Sequence, residues 1–156
     1  MRVVTWNINS VRLRIKSVRR VVKKLNPDIL CLQETKCLRE DFPFKDFKRM
    51  GFLQTEAYGI KGYNGVSISS KIPIVSYDKT TFCNKDDARH INIELLYQKK
   101  KINIHNFYIP AGGDEPNPKI NEKFKHKLQF LDEATKYFSN KDNADSVSYT
   151  HIRAHE

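Results

Sequence analysis

Cysteine is scarce in this sequence and follows no metal-binding pattern. The three cysteines, Cys31, Cys37 and Cys83, lack the paired spacing of a zinc site, and their odd number does not suit a disulfide framework. Cys31 falls inside an apolar run and is expected to be a small core residue. Reduced thiols are typical of the cytosol, so we expect a cytoplasmic protein.

Long hydrophobic runs are also missing. No apolar stretch approaches the roughly 20 residues that a membrane helix needs, so we expect no membrane partner. The N-terminus, MRVVTWNINS, has polar residues inside a strand pattern instead of the apolar core of a secretory signal. A hydrophobic content of 39% and a charged content of 29% are typical of one folded domain, for which 156 residues suffice.

Acidic residues are few relative to basic ones. The sequence has 18 aspartates and glutamates and 28 lysines and arginines, which gives a formal net charge of +10. This imbalance favours polyanionic partners, nucleic acid first. A lysine-rich but merely solvated surface is an alternative that charge alone leaves open.

The N-terminal third has the pattern of a strand, a helix and a second strand. RVVTWNI (2–8) and DILCLQE (28–34) are rich in β-branched and apolar residues. Between them Ser10 is a plausible N-cap, and Asn26-Pro27 ends the helix. The helix has apolar residues spaced 4, 3, 4 and 3 apart on one face, which are Val11, Ile15, Val18, Val22 and Leu25.

The middle of the chain predicts short antiparallel strands, and a second helix follows. The strands are expected over 51–58, 64–71, 73–78, 89–97 and 101–110. The helix is expected over 121–138, with a core face of Phe124, Leu128, Leu131, Thr135 and Phe138. The fold class is therefore α/β, with packed sheets and helices outside. The sandwich looks unfinished, because too few strands are left for a facing sheet.

Three polar residues stand at strand ends. Each of them has an interpretation that involves no function. Asn7 would form a turn hydrogen bond, Glu34 would be a solvated carboxylate, and Tyr108 would be a core residue whose hydroxyl reaches water. Together they indicate a site at one sheet edge. One carboxylate with an amide oxygen suits Mg²⁺, which keeps waters and binds phosphate oxygens. The sequence thus points to phosphodiester chemistry.

Five segments carry a resemblance to a known family: WNINSVR, PDILCLQETK, GYNGVSISSK, ARHINIE and NFYIPAG. In this order and spacing they resemble the exodeoxyribonuclease III branch of the endonuclease/exonuclease/phosphatase family. The resemblance runs from residue 1 to about residue 140. It implies the N-terminal half of a DNase-I-like four-layer α/β sandwich.

The resemblance also implies roles for individual residues. Glu34 would bind a catalytic Mg²⁺ or Mn²⁺, and Asn7 would help to hold it, directly or through an outer contact. Tyr108 would contact the scissile phosphate, and Arg89 would reach DNA. The implied activities are 3′-to-5′ exonuclease on double-stranded DNA and incision at abasic sites, by a monomer when the protein is complete.

The predicted helix over residues 11–25 carries many cations. Arg12 follows the Asn7 strand and is expected to contact DNA near the site. A solvated face is the preferred interpretation for the others, Arg14, Lys16, Arg19, Arg20, Lys23 and Lys24.

The sequence departs from the family after residue 141. It contains neither the Gly-Asp-x-Asn nor the terminal Ser-Asp-His that would activate water and protonate the leaving group, and His151 and His155 stand in the wrong context. We expect 1–141 to be the N-terminal portion of the domain. We expect 142–156 to be an atypical tail that resembles translated adapter sequence.

Three functional interpretations follow. The first is a truncated and inactive repair phosphodiesterase, whose half-sandwich would expose an apolar sheet face and aggregate. The second keeps the fold but acts on an inositol phosphate or a phospholipid head group. The third is a fragment that at most binds nucleic acid.

Overall fold

The computed structural model describes residues 1–139 and the backbone of residues 146–151. Of the predicted tail, the remaining residues lie outside the described ranges. No helix within the described ranges combines the length and apolar character that crossing a membrane requires. The elements in chain order are β1 (Val3–Asn7), α1 (Ile15–Leu25), β2 (Ile29–Gln33), α2 (Phe44–Arg49), β3 (Gln54–Ile60), β4 (Tyr63–Ser70), β5 (Ile74–Asp78), β6 (His90–Tyr97), β7 (Lys100–Tyr108), α3 (Glu122–Ser139) and β8 (Ser146–His151).

The strands form two sheets of four strands each. The first sheet has the order β1-β2-β4-β3, with β1 and β2 parallel and the other neighbours antiparallel. The second sheet has the order β5-β6-β7-β8, with only β7 and β8 parallel among its pairs. The prediction that too few strands remain for a facing sheet is therefore wrong. The β6-β7 hairpin does not extend the first sheet; it pairs with β5 and β8 instead.

A buried apolar layer fills the space between the sheets. Ile29, Cys31, Val66 and Ile68 of the first sheet pack with residues of the second, and each is fully buried. The opposing residues are Ile91, Ile93, Leu95 and Ile104. The expected bare face of a half-sandwich is thus absent from the inner faces of the described sheets, since each covers the other. Large apolar side chains are instead exposed at β5 and β6, namely Val75, Tyr77 and Leu96.

Helices cover the outer face of each sheet and complete four layers, as the fold-class prediction required. Val18 and Val22 of α1 and Phe47 of α2 pack on Leu30 and Leu32 of β2. On the second sheet, α3 covers a cluster that includes Phe82, Phe107 and Ile109. The order of layers is helix, sheet, sheet, helix.

The buried face of α3 differs from the predicted one. Phe130 is buried with Phe138 beside it, whereas Leu128 and Leu131 are 43% and 36% exposed. The Phe130 ring lies 4.9 Å from that of Phe82 between ring centroids. Apolar residues fall on two stripes of this helix, and the aromatic cluster on the second sheet selects the one that carries Phe130.

The start of α1 also differs from the prediction. The helix begins at Ile15, and Ser10 is not its N-cap. Ser10 instead has a φ of 80° and donates its backbone N–H to the carbonyl of Glu34 at 2.7 Å. The predicted end is correct, because Asn26 adopts the left-handed conformation there. The segment before α1 is therefore a loop that packs against the end of β2.

Candidate active site

Three strands bring polar residues to one end of the sandwich. Asn7 is the last residue of β1, and Glu34 follows β2 directly. Because β1 and β2 are parallel, with Asn7 opposite Gln33, their C-terminal ends lie side by side. Tyr108 ends β7 in the facing sheet. The site therefore spans the top edges of both sheets.

Glu34 lies at the centre of this cluster. The Asn7 side-chain amide donates to Glu34 Oε1 at 2.7 Å, and the Tyr108 hydroxyl donates to the same oxygen at 2.9 Å. The Lys36 ammonium lies 3.1 Å from Oε2. Glu34 is only 4% exposed. Asn7, Glu34 and Tyr108, which the sequence placed at separate strand ends, are thus in direct contact.

The backbone around Glu34 is fixed in an uncommon conformation. Glu34 and Lys36 have φ values of 54° and 53°, in the left-handed region that non-glycine residues rarely adopt. Ser10 on one side holds the Glu34 carbonyl, and on the other the Thr35 N–H donates to the Gly65 carbonyl at 3.1 Å. Strain of this kind persists where surrounding contacts impose it, and it is common at functional sites.

Hydrogen bonds keep the Glu34 carboxylate ionised. Burial alone would raise its pKa, but hydrogen bonds from Asn7, Tyr108 and Lys36, together with the Lys36 charge, lower the pKa below its ordinary value. At neutral pH this residue is a carboxylate. A buried, oriented anion of this kind is suited to bind a cation.

The donor set fits a magnesium-like ion better than zinc or calcium. Glu34 supplies one hard carboxylate, and Mg²⁺ is held in proteins by one or two carboxylates while waters and phosphate oxygens fill the other positions. Within the described ranges, no cluster of three or more His, Cys, Asp or Glu side chains could hold a metal. Asn7 points its amide nitrogen at Glu34, so here it orients the predicted ligand; its role as a ligand stays a prediction.

Arg89 lies behind the tyrosine. Its guanidinium is 4.9 Å from the centroid of the Tyr108 ring, and its Nη1 donates to the Tyr108 carbonyl at 3.1 Å. Asp87 accepts a hydrogen bond from its Nε. Arg89 is 8% exposed. In this structure it therefore supports Tyr108, and its predicted contact with DNA stays a prediction.

Arg12 lies on the open side of the site. Its side chain is 51% exposed and comes within 3.9 Å of Asp41. It lines a cleft of about 650 Å³ together with Lys36 and Gly62. The other lining residues are Asn9, Ser10, Leu13 and Arg14. This cationic cleft is where the predicted DNA contact of Arg12 would occur.

A second, smaller cleft lies beside Tyr108. It has a volume of about 240 Å³ and includes Gly112 and Gly113 of the loop that follows β7. Lys123 and His126 of α3 form one wall. The pKa of His126 is lowered, mainly because the imidazole is partly buried and further because the positive charges of Lys85 and Arg89 lie nearby. His126 is therefore neutral at neutral pH.

Sequence reasoning did not assign two residues of the site, Lys36 and Asn9. Lys36 lies within the quoted segment PDILCLQETK, and Asn9 within WNINSVR. The Lys36 ammonium donates to Asn9 Oδ1 at 2.7 Å as well as pairing with Glu34. A cation two residues after a predicted metal ligand was the available signal.

Beneath the site a buried polar contact joins the two sheets. Gln33 Nε2 donates to Asn106 Oδ1 at 2.6 Å. Asn106 Nδ2 donates to the carbonyls of Leu32 and Ser67, each at 2.9 Å. Gln33 and Asn106 are fully buried. This contact holds β7 against β2. Gln33 lies one residue before Glu34, and Asn106 lies two residues before Tyr108.

Comparisons with known proteins agree with the fold and with the quoted motifs. The sequence pattern of the Endonuclease/Exonuclease/phosphatase family matches residues 4–147. The chain is 28% identical over 134 residues to exodeoxyribonuclease III of Haemophilus influenzae, covering 83% of this chain and 50% of that protein. It is 30% identical over 140 residues to recombination repair protein 1 of Drosophila melanogaster, covering 85% of this chain and 20% of that protein.

Solved structures give the same result. An AP endonuclease from Archaeoglobus fulgidus superposes with a TM-score of 0.81 at 31% identity, covering 96% of this chain and 56% of that one. A 3′-5′ exonuclease from Neisseria meningitidis gives 0.78 at 25% identity, with 97% and 57% covered. The chain thus spans about half the length of the exodeoxyribonuclease III and of these two structures. This chain belongs to the endonuclease/exonuclease/phosphatase family and is homologous to exodeoxyribonuclease III and to AP endonucleases.

Proposed function

We propose that this chain carries the metal-binding half of a DNA-repair phosphodiesterase site of the exodeoxyribonuclease III type. The activities proposed are 3′-to-5′ exonuclease on double-stranded DNA and incision at abasic sites, with Mg²⁺ as the ion and Mn²⁺ as a substitute. The observation that carries the proposal is the ionised Glu34 carboxylate, which Asn7 and Tyr108 orient from two sheets at 2.7 and 2.9 Å.

Each residue has a distinct part in this proposal. Glu34 would hold the cation, which when bound polarises a phosphoryl oxygen and stabilises charge on the leaving oxygen. The Tyr108 hydroxyl would contact the scissile phosphate; since its single proton is donated to Glu34 Oε1 in this structure, donating it to a phosphate oxygen would require the hydroxyl to turn away from Glu34. Arg89 fixes the Tyr108 ring from behind by stacking 4.9 Å from its centroid. Asn7 orients the carboxylate by donating to its Oε1.

The charge of the chain favours DNA over a phospholipid head group. The net charge is +10, and three cationic side chains line the cleft beside Glu34, those of Arg12, Arg14 and Lys36. Phosphate contacts of this kind give affinity that falls as salt is raised. A related 3′ phosphatase from Neisseria, 26% identical with a TM-score of 0.79, was solved bound to a product DNA hairpin.

We also propose that these 156 residues alone have little or no activity. The sequence contains no Gly-Asp-x-Asn and no Ser-Asp-His, the motifs that the resemblance assigns to water activation and leaving-group protonation. Without such groups, a bound metal alone gives at most weak catalysis. The cytoplasmic location, the monomeric state of the complete protein and the start of an atypical tail at residue 142 stay predictions.

The experiment measures binding and cleavage on the same samples. Double-stranded DNA with one abasic analogue is titrated at several salt concentrations, with and without Mg²⁺, for the chain and for Glu34→Ala. Vesicles that contain a phosphoinositide are titrated in parallel. We expect salt-dependent DNA binding, no vesicle binding and no cleavage above that of Glu34→Ala.

Two results would contradict the proposal in different ways. Binding to the vesicles but not to DNA would overturn the substrate class. Mg²⁺-dependent cleavage that Glu34→Ala abolishes would support the nuclease and overturn the inactivity of the chain. Sequencing the source DNA through codon 141 and beyond tests the tail separately, because a frame that continues into Gly-Asp-x-Asn would show residues 142–156 to be foreign.

A further inference from the structure

Lys36 occupies the side of Glu34 that faces the open cleft. Glu34 Oε1 already accepts hydrogen bonds from Asn7 and Tyr108, so its other oxygen, Oε2, is the one left for a new partner. Lys36 Nζ lies 3.1 Å from Oε2. The Glu34 side chain is 5% exposed and that of Lys36 is 31% exposed. Lys36 lines the cleft and Glu34 does not, so the ammonium is the solvent-accessible member of the pair and the carboxylate is the buried one.

Several contacts hold Lys36 in this place. Its ammonium donates to Asn9 Oδ1 at 2.7 Å. Its backbone N–H donates to the carbonyl of Asn64 at 2.9 Å, and its own carbonyl accepts from the Gly62 N–H at 3.2 Å. Most exposed ion pairs contribute little because two long side chains must be ordered to form them. Here the backbone is fixed on both sides and one partner is buried, so the pair is already ordered.

We propose that Lys36 is an internal counter-ion of Glu34 that a divalent cation must displace, so that Lys36 lowers the affinity of the site for the cation. The inference rests on the proposed metal site at Glu34. A cation bound at Oε2 would meet the ammonium at close range, and like charges at that distance repel. Once displaced, Lys36 stays within reach of Asn9 and of the cleft that Arg12 lines.

A merely structural role for Lys36 predicts the opposite result. If Lys36 only kept Glu34 in position, its removal would disorder the carboxylate and weaken cation binding. If Lys36 is the counter-ion, its removal frees Oε2 while Asn7 and Tyr108 still orient the carboxylate, and cation binding becomes tighter. The sign of the change in affinity therefore separates the two roles.

The test is calorimetric titration of Mn²⁺ alone into the chain and its variants. Lys36→Gln and Lys36→Met remove the charge, and Lys36→Arg keeps it. Lys71→Gln is the matched control, because Lys71 likewise donates to an asparagine, Asn26 Oδ1, at 2.7 Å on another part of the molecule. Melting curves establish that each variant is folded.

We expect Lys36→Gln and Lys36→Met to bind Mn²⁺ about fivefold to tenfold more tightly than the wild type at low salt, since one positive charge near the ion is removed. This difference should shrink as NaCl is raised, because salt screens a partly exposed charge. Lys36→Arg and Lys71→Gln should bind within about twofold of wild type.

The outcomes distinguish this inference from the proposed function. Unchanged or weaker binding in both neutral Lys36 variants, with binding lost in Glu34→Gln, overturns the counter-ion role and leaves the metal site in place. Mn²⁺ binding that survives Glu34→Gln, or no Mn²⁺ binding by any variant, overturns the metal site and the counter-ion role together.

Discussion

A buried carboxylate at the end of a buried strand is stable here because every oxygen has a donor. Glu34 Oε1 accepts hydrogen bonds from Asn7 and Tyr108, and Oε2 pairs with the Lys36 ammonium. A buried carboxylate without partners would take up a proton, since desolvation raises its pKa. The partners reverse that shift. The local structure thus preserves a negative charge at a point where the surrounding strands are apolar.

Residue type and position on a strand were enough to select three polar residues that the fold brings together, while their roles in metal and phosphate binding stay predictions. Asn7 and Tyr108 end strands and Glu34 follows one directly, and in the structure Asn7 and Tyr108 both contact Glu34. The contribution of Lys36 was not predicted, because it depends on the path of the chain after β2. Along that path Glu34 and Lys36 have positive φ values. Neither residue is a glycine, the residue type that would have indicated such a conformation in the sequence.

A cysteine between the sheets makes stability depend on alkaline pH. Cys31 is fully buried, and burial raises the pKa of its thiol from an ordinary value of 9.0 to about 12. The folded pKa is above the unfolded one, so the thiol stabilises the fold fully below pH 9 and loses this effect as pH rises toward 12. We expect the free energy of unfolding to fall above pH 9 by up to about 1.4 kcal/mol per pH unit from this group.

Urea denaturation at a series of pH values measures this dependence. In Cys31→Ala the cavity lowers stability at every pH, but the part of the slope due to the thiol should disappear. The other titrating groups are common to both proteins, so the difference between the two slopes isolates Cys31. Parallel curves for the two proteins above pH 9 would contradict the prediction.

At the scale of elements, strong local patterns were predicted well and weak ones were not. Strands β4 to β7 lie within two residues of their predicted bounds, and β6 and β7 form the predicted hairpin. The short helix α2, Phe44–Arg49, was not predicted because six residues are too few to establish a helical period. The predicted core face of α3 was wrong at Leu128 and Leu131, although Phe138 does pack on the cluster, because tertiary packing selected between two apolar stripes.

Because β4 packs closely against the segment after β2, substitution by alanine should cost more stability at Gly65 than at Gly62. Gly65 and Gly62 have φ values of +94° and +72°, so an alanine at either is strained, at a cost of about 1–2 kcal/mol. A Cβ on Gly65 would also lie 2.2 Å from Thr35 Oγ1, whereas a Cβ on Gly62 meets nothing within 4 Å. We expect Gly65→Ala to lower the free energy of unfolding by at least about 1 kcal/mol more than Gly62→Ala.

Urea denaturation of the two variants measures the difference, and Gly62→Ala controls for backbone strain. Since Thr35 follows Glu34 directly, Gly65→Ala should also weaken Mn²⁺ binding if Glu34 holds the ion. Equal destabilisation by the two substitutions would show that the Thr35 hydroxyl moves aside without cost.

At the scale of the whole molecule, the number of sheets could not be derived from local patterns. The inter-sheet layer combines residues far apart in the chain, from Ile29 to Ile104. Alternation within a strand tells which face is buried, but it does not tell which strands become neighbours. The sandwich architecture was therefore predicted, while the division of the strands into two sheets of four was not.

The buried Gln33–Asn106 contact is expected to join the two sheets into one cooperative unit. Asn106 Nδ2 donates to carbonyls of β2 and β4, and its Oδ1 accepts from Gln33, all without exposure to solvent. Asn106→Ala removes one hydrogen-bond partner from each of these buried groups, of which Gln33 Nε2 keeps Thr5 Oγ1 at 2.9 Å, and a buried group left unpaired costs about 1–3 kcal/mol. Because such costs are not additive, we expect Asn106→Ala to lower the free energy of unfolding by about 2–4 kcal/mol.

Asn103→Ala is the matched control on the same strand, because Asn103 is partly exposed and lies an odd number of residues away, on the opposite face of the sheet. Its effect should stay within about 1 kcal/mol.

Trp6, the only tryptophan, packs against the core on the outer face of the first sheet, so its fluorescence reports that sheet while far-UV circular dichroism reports both. The wild-type transitions should coincide, as in two-state unfolding, and Asn106→Ala should separate them if the contact couples the sheets. A loss below about 1 kcal/mol with coincident transitions would mean that apolar packing between the sheets couples them without this contact.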